Sequence, residues 1–356
     1  MTIVPGVTAR VPAKLNLQLA VGPRRADGYH GLVTVFHAVS LFDEVTAESA
    51  SQDGVTVTGE GADRVPADHD NLALRAVAAL RAAVGGAERA ARVHITITKR
   101  IPVAAGLAGG SADAAGALVA CNELWRSGLD QQQLGTVAAK VGSDVAFALL
   151  GGTAVGRGRG EQLTPALAPA TAYHWVLAFA DGQLSTPDVY AMLDRLRARQ
   201  AGAGGEPPSP GAKAELGTGQ PSRGGARGER GDGQPPRAGG PRKVGPREIE
   251  LSAALMTALR SGDPTRVGRA LSNDLQPAAV ALFPALRKTL AAGLELGALG
   301  ALVAGSGPTC AFLASNANRA LDLAVSLSGA GVCRSVARVT GPVPGTVILP
   351  DPKTAK

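Results

Sequence analysis

Aromatic residues are few: Phe, Trp and Tyr make up 3% of the 356 positions, so two rings close together in sequence suggest a surface for a flat ligand. Cysteine is scarcer still. Cys121, Cys310 and Cys333 lie far apart and form no CxxC pair, which excludes a disulfide framework and a cysteine zinc site and fits a reducing cytoplasm. No uninterrupted run of about 18 apolar residues occurs, so a membrane span is not expected. The opening MTIVPGVTARVPAK lacks the charged-then-apolar order of a secretion signal. The Gly-Lys-Ser/Thr of a Walker A loop is also missing, so any phosphoryl transfer needs another architecture. Lysine occupies 8 positions against 28 for arginine, and a lysine among apolar neighbours therefore draws notice.

The formal charge of +7 would suggest a nucleic-acid or membrane partner if it covered one face. It does not. Residues 196–247 hold ten Lys/Arg and four Asp/Glu, so 10 − 4 = +6 sits there and about +1 is left for everything else. Within it, residues 201–247 contain 14 Gly and 8 Pro among 47 positions. Such a composition cannot bury enough apolar surface to offset its ordering entropy, and the segment is expected to be a disordered, solvated insertion.

The rest reads as a folded chain long enough for two domains. Strands are predicted at 13–21, 32–41, 45–58, 92–99 and from 153, by alternation and β-branched content. Helices are predicted from Asp70 or Asn71 to about 84, over 111–125, over 130–142, and as a short piece at 144–150. Helical periodicity returns from Ile249, and residues 300–313 read as strand, glycine turn, strand.

Five places carry candidate chemistry. Pro102-Val103-Ala104-Ala105-Gly106-Leu107-Ala108-Gly109-Gly110-Ser111-Ala112 joins a strand to a helix. Unpaired N–H groups, the helix macrodipole and glycine's close approach favour a phosphate there, but a tightly packed connection needs glycine equally. Asp144, in VGSDVAF, suits a helix N-cap as well as a general base. Lys14 flanks Leu15 and Leu17 on a strand, and its ammonium either snorkels to solvent or serves a site. Tyr29 and His30, in RADGYH, pair two rings on a turn. Ser185-Thr186-Pro187-Asp188-Val189-Tyr190 starts a helix, with Thr186 as cap and Pro187 first inside it.

Taken in order, PAKLNLQLAVGPRRADGYHGL, IPVAAGLAGGSADAAGALVACNELW, VGSDVAFALLGGTAVGRGRGEQL and LVAGSGPTCAFL resemble the GHMP-type kinases over nearly the whole chain except about 200–247. The narrower PAKLNL and ADGYH segments resemble the branch acting on 4-diphosphocytidyl-2-C-methyl-D-erythritol. The resemblance implies an α+β fold of two domains, S5-like then ferredoxin-like, with the active site in the cleft. It implies domains at 1–165 and 248–350, with 166–200 beginning the second. ATP is the implied donor, with Mg²⁺ as its complex, and the metal ligands stay unknown, Ser111 being one candidate. Asp144 matches the family's base and Lys14 its partner, with Asn16 at the polyol. Tyr29, His30, Thr186, Pro187 and Tyr190 match the cytidine pocket, Asn71 and Lys99 the surroundings of adenine, and residues 102–112 the phosphate loop. A cytoplasmic monomer or weak homodimer that binds no nucleic acid or membrane is expected. The alternatives are a homoserine- or mevalonate-type kinase, or a non-catalytic nucleotide-binding protein. Ala104, Ala105 and Ala108 stand where the family often has glycine, which the cradle tolerates if their φ stays below zero.

Overall fold

The computed structural model describes residues 6–86, 90–166, 171–203 and 249–350. The insertion expected at 201–247 falls, from residue 204 on, outside them.

In chain order the elements are β1 (Val7–Arg24), β2 (His30–Ser49), β3 (Gly54–Gly59), α1 (Leu72–Ala83), β4 (Val93–Lys99), α2 (Gly109–Leu124), α3 (Gln131–Val141), α4 (Ser143–Leu150), β5 (Thr153–Gly158) and β6 (Gln162–Pro165). There follow β7 (Tyr173–Phe179), α5 (Thr186–Ala203), α6 (Ala253–Ser261), α7 (Pro264–Ala270), β8 (Ser272–Asn273), α8 (Gln276–Leu282), α9 (Ala285–Glu295), β9 (Gly300–Val303), β10 (Cys310–Ala314), α10 (Ala317–Gly329), β11 (Ser335–Gly341) and β12 (Val347–Ile348).

Two sheets result. The first runs β12-β1-β2-β4-β3, with β5 also on β2, β6 on β5 and β8 on β1. The second is antiparallel in the order β11-β7-β10-β9. Counting only its own strands, the chain makes βαββαβ with spatial order 4-1-3-2, the ferredoxin-like arrangement. The strand predicted over 45–58 is in fact two. Val45 to Ser49 finish β2, and a turn at 50–53 lets Gly54–Gly59 pair parallel to β4. Alternation in Val-His-Ile-Thr-Ile-Thr-Lys (93–99) is reproduced residue for residue, with Val93, Ile95 and Ile97 fully buried.

Strand β1 does most to place the site. Ala13, Leu15 and Leu17 enter the main core, while Lys14, Asn16 and Gln18 form a buried polar row on its other face. The β1–β2 register shifts between Pro12 and Ala13 and again between Asn16 and Gln18, so irregular pairing brackets that row. Helix α2 packs on β1 and β2 closely enough that a Cβ at Gly116 would press on Val45 and Val11. The start of α2 is thereby fixed above the polar row.

Candidate active site

The loop between β4 and α2 opens a cavity of about 430 Å³ lined by Ala104, Ala105, Gly106, Ala108, Gly109, Gly110 and Ser111, together with Lys14, Asn16 and Asp144. Helices α1, α3, α6, α7 and α10 cap their first turns with a side-chain oxygen. Helix α2 does not: its N-cap is Ala108, with no side-chain cap. Its first N–H groups and the positive end of its dipole therefore face the cavity, as an anion requires. Gly106 has φ 78, and a Cβ there would collide with the Ala304 carbonyl oxygen across the cleft.

The three alanines do not all keep φ below zero. Ala104 has φ 54 and Ala108 φ 59, both left-handed, while Ala105 is not among the positive-φ residues. A left-handed non-glycine residue costs about 1–2 kcal/mol, so this loop holds strain that glycine would relieve. Leu107 is buried in the core and contributes its carbonyl, which accepts from Lys14 N–H at 3.2 Å. Ala112 lies on the packed face of α2, and Pro102 faces a separate crevice between the lobes.

Beneath the loop sits a charged cluster that sequence reading missed. Lys99 Nζ donates to Asp43 Oδ2 and to Asp113 Oδ2 (2.7 Å), and all three residues are buried. Asp43 Oδ1 also accepts from Arg100 and Ile101 N–H, at 2.6 and 2.8 Å, anchoring the loop's first residues. Burial opposes the charge on Lys99, yet the Asp113 and Asp43 carboxylates outweigh it and raise its pKa. Burial drives the Asp113 carboxyl up to about 8 against the pull of Lys99. No local signal marks Asp43 or Asp113, because the partners come from β2 and α2.

At the cavity's other wall Lys14 Nζ is 3.7 Å from Asp144 Oδ2 and donates to Asn16 Oδ1 at 2.7 Å. Asn16 Nδ2 donates to Thr34 Oγ1 (2.8 Å), which donates to the Gln18 carbonyl (2.6 Å). The ammonium is thus fixed from behind and directed to Asp144. Asp144 is not a cap. Gly142 occupies the N-cap of α4, and the Asp144 carboxylate, one third exposed, faces Lys14 from the first turn. Across the cleft the Gly305-Ser306-Gly307 turn is held by Asn273 Nδ2, which donates to the Val303 and Gly305 carbonyls, both at 2.7 Å.

A second cavity, about 690 Å³, adjoins the first and is lined by Tyr29, His30, Thr186, Pro187 and Tyr190 among others. His30 Nε2 is 2.9 Å from Asp194 Oδ1, and its ring centroid lies 5.1 Å from that of Tyr190. Burial, with the Asp144 charge as a lesser cause, pushes the Tyr190 phenol up to about 12. Asp194 was overlooked, although its place one turn after Tyr190 on α5 puts both on one face. Thr186 is not the cap of α5: Val189 N–H donates to the Ser185 carbonyl, and the Thr186 hydroxyl pairs with Ser306 Oγ at 2.8 Å.

A third cavity, about 270 Å³, includes Asn71, Leu72, Lys99, Val103 and Ala104. Asn71 is largely committed to structure, accepting from Ala73 N–H (2.8 Å) and donating to the Pro66 carbonyl (2.7 Å). Among the described residues no group of three or more His, Cys, Asp or Glu is arranged to hold a metal, and no described helix is long and apolar enough to cross a membrane.

An uncapped helix over a two-lobed cleft, with a Lys–Asp pair opposite, defines a small-molecule kinase without a Walker loop. Residues 71–152 match the GHMP kinases N terminal domain and residues 255–333 the GHMP kinases C terminal domain, and the chain belongs to this kinase family. Over 349 residues it is 50% identical to the 4-diphosphocytidyl-2-C-methyl-D-erythritol kinase of Mycolicibacterium gilvum, covering 98% of this chain and 94% of that protein. The kinase of the same name from Nocardia farcinica is 50% identical over 355 residues, 99% of this chain and 100% of that one. A crystal structure of 4-(cytidine 5'-diphospho)-2C-methyl-D-erythritol kinase superposes with TM-score 0.65 at 29% identity, covering 94% of this chain and 99% of that one. Homoserine kinase from Cytophaga hutchinsonii reaches the same TM-score at 18% identity, covering 98% and 99%, and shares the fold.

Proposed function

We propose that the chain transfers the γ-phosphoryl group of ATP to the 2-hydroxyl of 4-diphosphocytidyl-2-C-methyl-D-erythritol, in the non-mevalonate supply of isoprenoid precursors. The observation that carries this is the Lys14–Asp144 pair, 3.7 Å apart, between an uncapped helix start and a ring-lined second cavity. An acceptor with a nucleobase at one end and a hydroxyl at the other needs such a double chamber. Homoserine and mevalonate have no base to place in the second one.

In this reading Asp144 accepts the hydroxyl proton as the oxygen attacks the γ-phosphorus and ADP departs. Lys14, steadied by Asn16, polarises that hydroxyl and offsets the charge building on the transferred group. Asn16 also contacts the polyol. The loop 102–112 holds the phosphates through the N–H groups of its cavity-lining residues, 104–106 and 108–111, with Asn71 and Lys99 beside adenine. Tyr29 and Tyr190 stack on cytosine, His30 bonds its edge with Asp194 fixing the imidazole, and Thr186 and Pro187 complete the wall.

Magnesium needs few protein oxygens in this cavity, since it keeps several waters and binds mainly through substrate phosphates. The Ser111 hydroxyl lines the cavity and is the protein oxygen we assign to it. Bound there, the ion neutralises phosphate charge. We further propose lobes at 1–165 and 248–350, with 166–200 opening the second. The three free cysteines suit a reducing cytoplasm, where we place a monomer or weak homodimer.

Initial rates with ATP and each of three acceptors test the assignment. The cytidine-linked acceptor is expected to exceed homoserine and mevalonate by a factor on the order of 10³ or more, since a pocket built for polar groups rejects ligands lacking them. Comparable or faster turnover of either small acid would overturn it.

A further inference from the structure

The two large cavities share five lining residues: Leu32, Ser143, Arg159, Thr186 and Tyr190. Any ligand lying in both must pass this neck. Arg159 is its one charged member. It sits at the turn between β5 and β6, between Gly158 (φ 74) and Gly160 (φ 106), so the chain reverses tightly around it. Its backbone N–H is taken by Glu161 Oε2 at 2.7 Å, but its guanidinium makes no ion pair among the described residues. That guanidinium lies 5.5 Å from the centroid of the Tyr29 ring, and both residues are exposed, so the charge stands at the solvent-facing side of the neck.

The surroundings reinforce the charge. Arg24, Arg75 and Lys140 also line the second cavity, whose carboxylate, Asp194, is occupied by His30. Asp144, next in the chain to Ser143 of the neck, is engaged with Lys14. A neutral linker between base and polyol would gain nothing from a free guanidinium at the neck. A diphosphate linker gains charge-assisted, bidentate hydrogen bonds there, and an arginine fork matches phosphate oxygens better than an ammonium does.

We propose that Arg159 clamps the diphosphate of the acceptor and sets the distance between the base pocket and the Lys14–Asp144 pair. This rests on the reading of the second cavity as the cytidine pocket. Arg159 takes no part in proton transfer. It discriminates between acceptors that carry an anionic linker and those that do not.

The test compares cytidine with cytidine diphosphate as ligands of the full-length protein, by calorimetry or by competition against the acceptor. The wild type is expected to bind cytidine diphosphate about 10- to 100-fold more tightly than cytidine. Arg159→Gln is expected to shrink that ratio to within about threefold while cytidine still binds, and an unchanged far-ultraviolet circular dichroism spectrum shows that the variant is folded. Arg159→Lys should fall between, because it keeps the charge and loses the fork. In turnover the Gln variant should raise KM for the acceptor and spare kcat. An undiminished ratio in Arg159→Gln, with both ligands still bound, overturns the clamp and leaves the cytidine pocket standing. Failure of the wild type to bind either ligand overturns the pocket reading and the clamp with it.

Discussion

Asp144 illustrates how little a single residue discloses in one dimension. Its position after Gly142 fits a cap, and the sequence around it contains nothing that distinguishes a cap from a base. Only the fold brings Lys14, 130 positions earlier, to 3.7 Å from it. Asp144→Asn removes the proton acceptor while keeping the size, so kcat should fall at least about 100-fold with the KM for both substrates little changed. Steady-state kinetics checks this, and near-normal kcat would remove Asp144 from the base role. The loop alanines make a second residue-scale prediction. Ala104 and Ala108 sit at φ 54 and 59, so glycine relieves strain there but also frees the unfolded chain. Each Ala→Gly change should stabilise by about 0.5–1 kcal/mol net and lower KM for ATP, as read by urea unfolding and kinetics. The sequence flagged these three alanines; which of them turned left-handed depended on the course of the loop.

Among the elements, those with strong periodicity were legible and those made by tertiary pairing were not. The alternating strand β4 and the Asp130-capped helix α3 appear where predicted, because local propensity and burial agree there. Strands β8 and β12, two residues each, have no pattern to read and exist because β1 offers them partners. Strand β2 hides another feature. His37 is fully buried, its Nδ1 2.8 Å from Thr153 Oγ1 on β5 and its ring edge-on to Tyr173 of β7 at 5.8 Å. Burial lowers its pKa from 6.5 to about 3. The unfolded chain therefore takes up a proton below pH 6.5 that the folded chain refuses until about pH 3, and stability is lost as pH falls through that window. From pH 7.5 to 5 this one group should cost about 2 kcal/mol. Urea midpoints for wild type and His37→Gln measure it: the variant's midpoint should fall less over that range, and parallel slopes would contradict the assignment.

At the scale of the whole molecule, the site is built from both lobes. The Gly305–Gly307 turn and the start of α5 face β1 and the α2 loop, and the Thr186–Ser306 bond ties the two second-lobe pieces together. The two-lobed family fold was legible from four ordered motifs, whereas the Lys99 cluster, the Asp194 partner and the Arg159 neck needed residues brought together from distant parts of the chain. Every residue assigned to the chemistry lies outside 204–248, and the chain resumes by donating Ser252 N–H to Gln18 Oε1 on β1 at 2.9 Å. Replacing 204–248 by a flexible linker should leave turnover within about twofold; loss of activity in a folded variant would make that segment functional. The central claim is that phosphate is delivered to one hydroxyl of a cytidine-linked polyol. Phosphorus NMR of the product from ATP and 4-diphosphocytidyl-2-C-methyl-D-erythritol tests it most directly. One new phosphomonoester on the 2-hydroxyl, equal in amount to the ADP formed, is the result predicted. ADP without that ester, or a phosphate at another position, would contradict it.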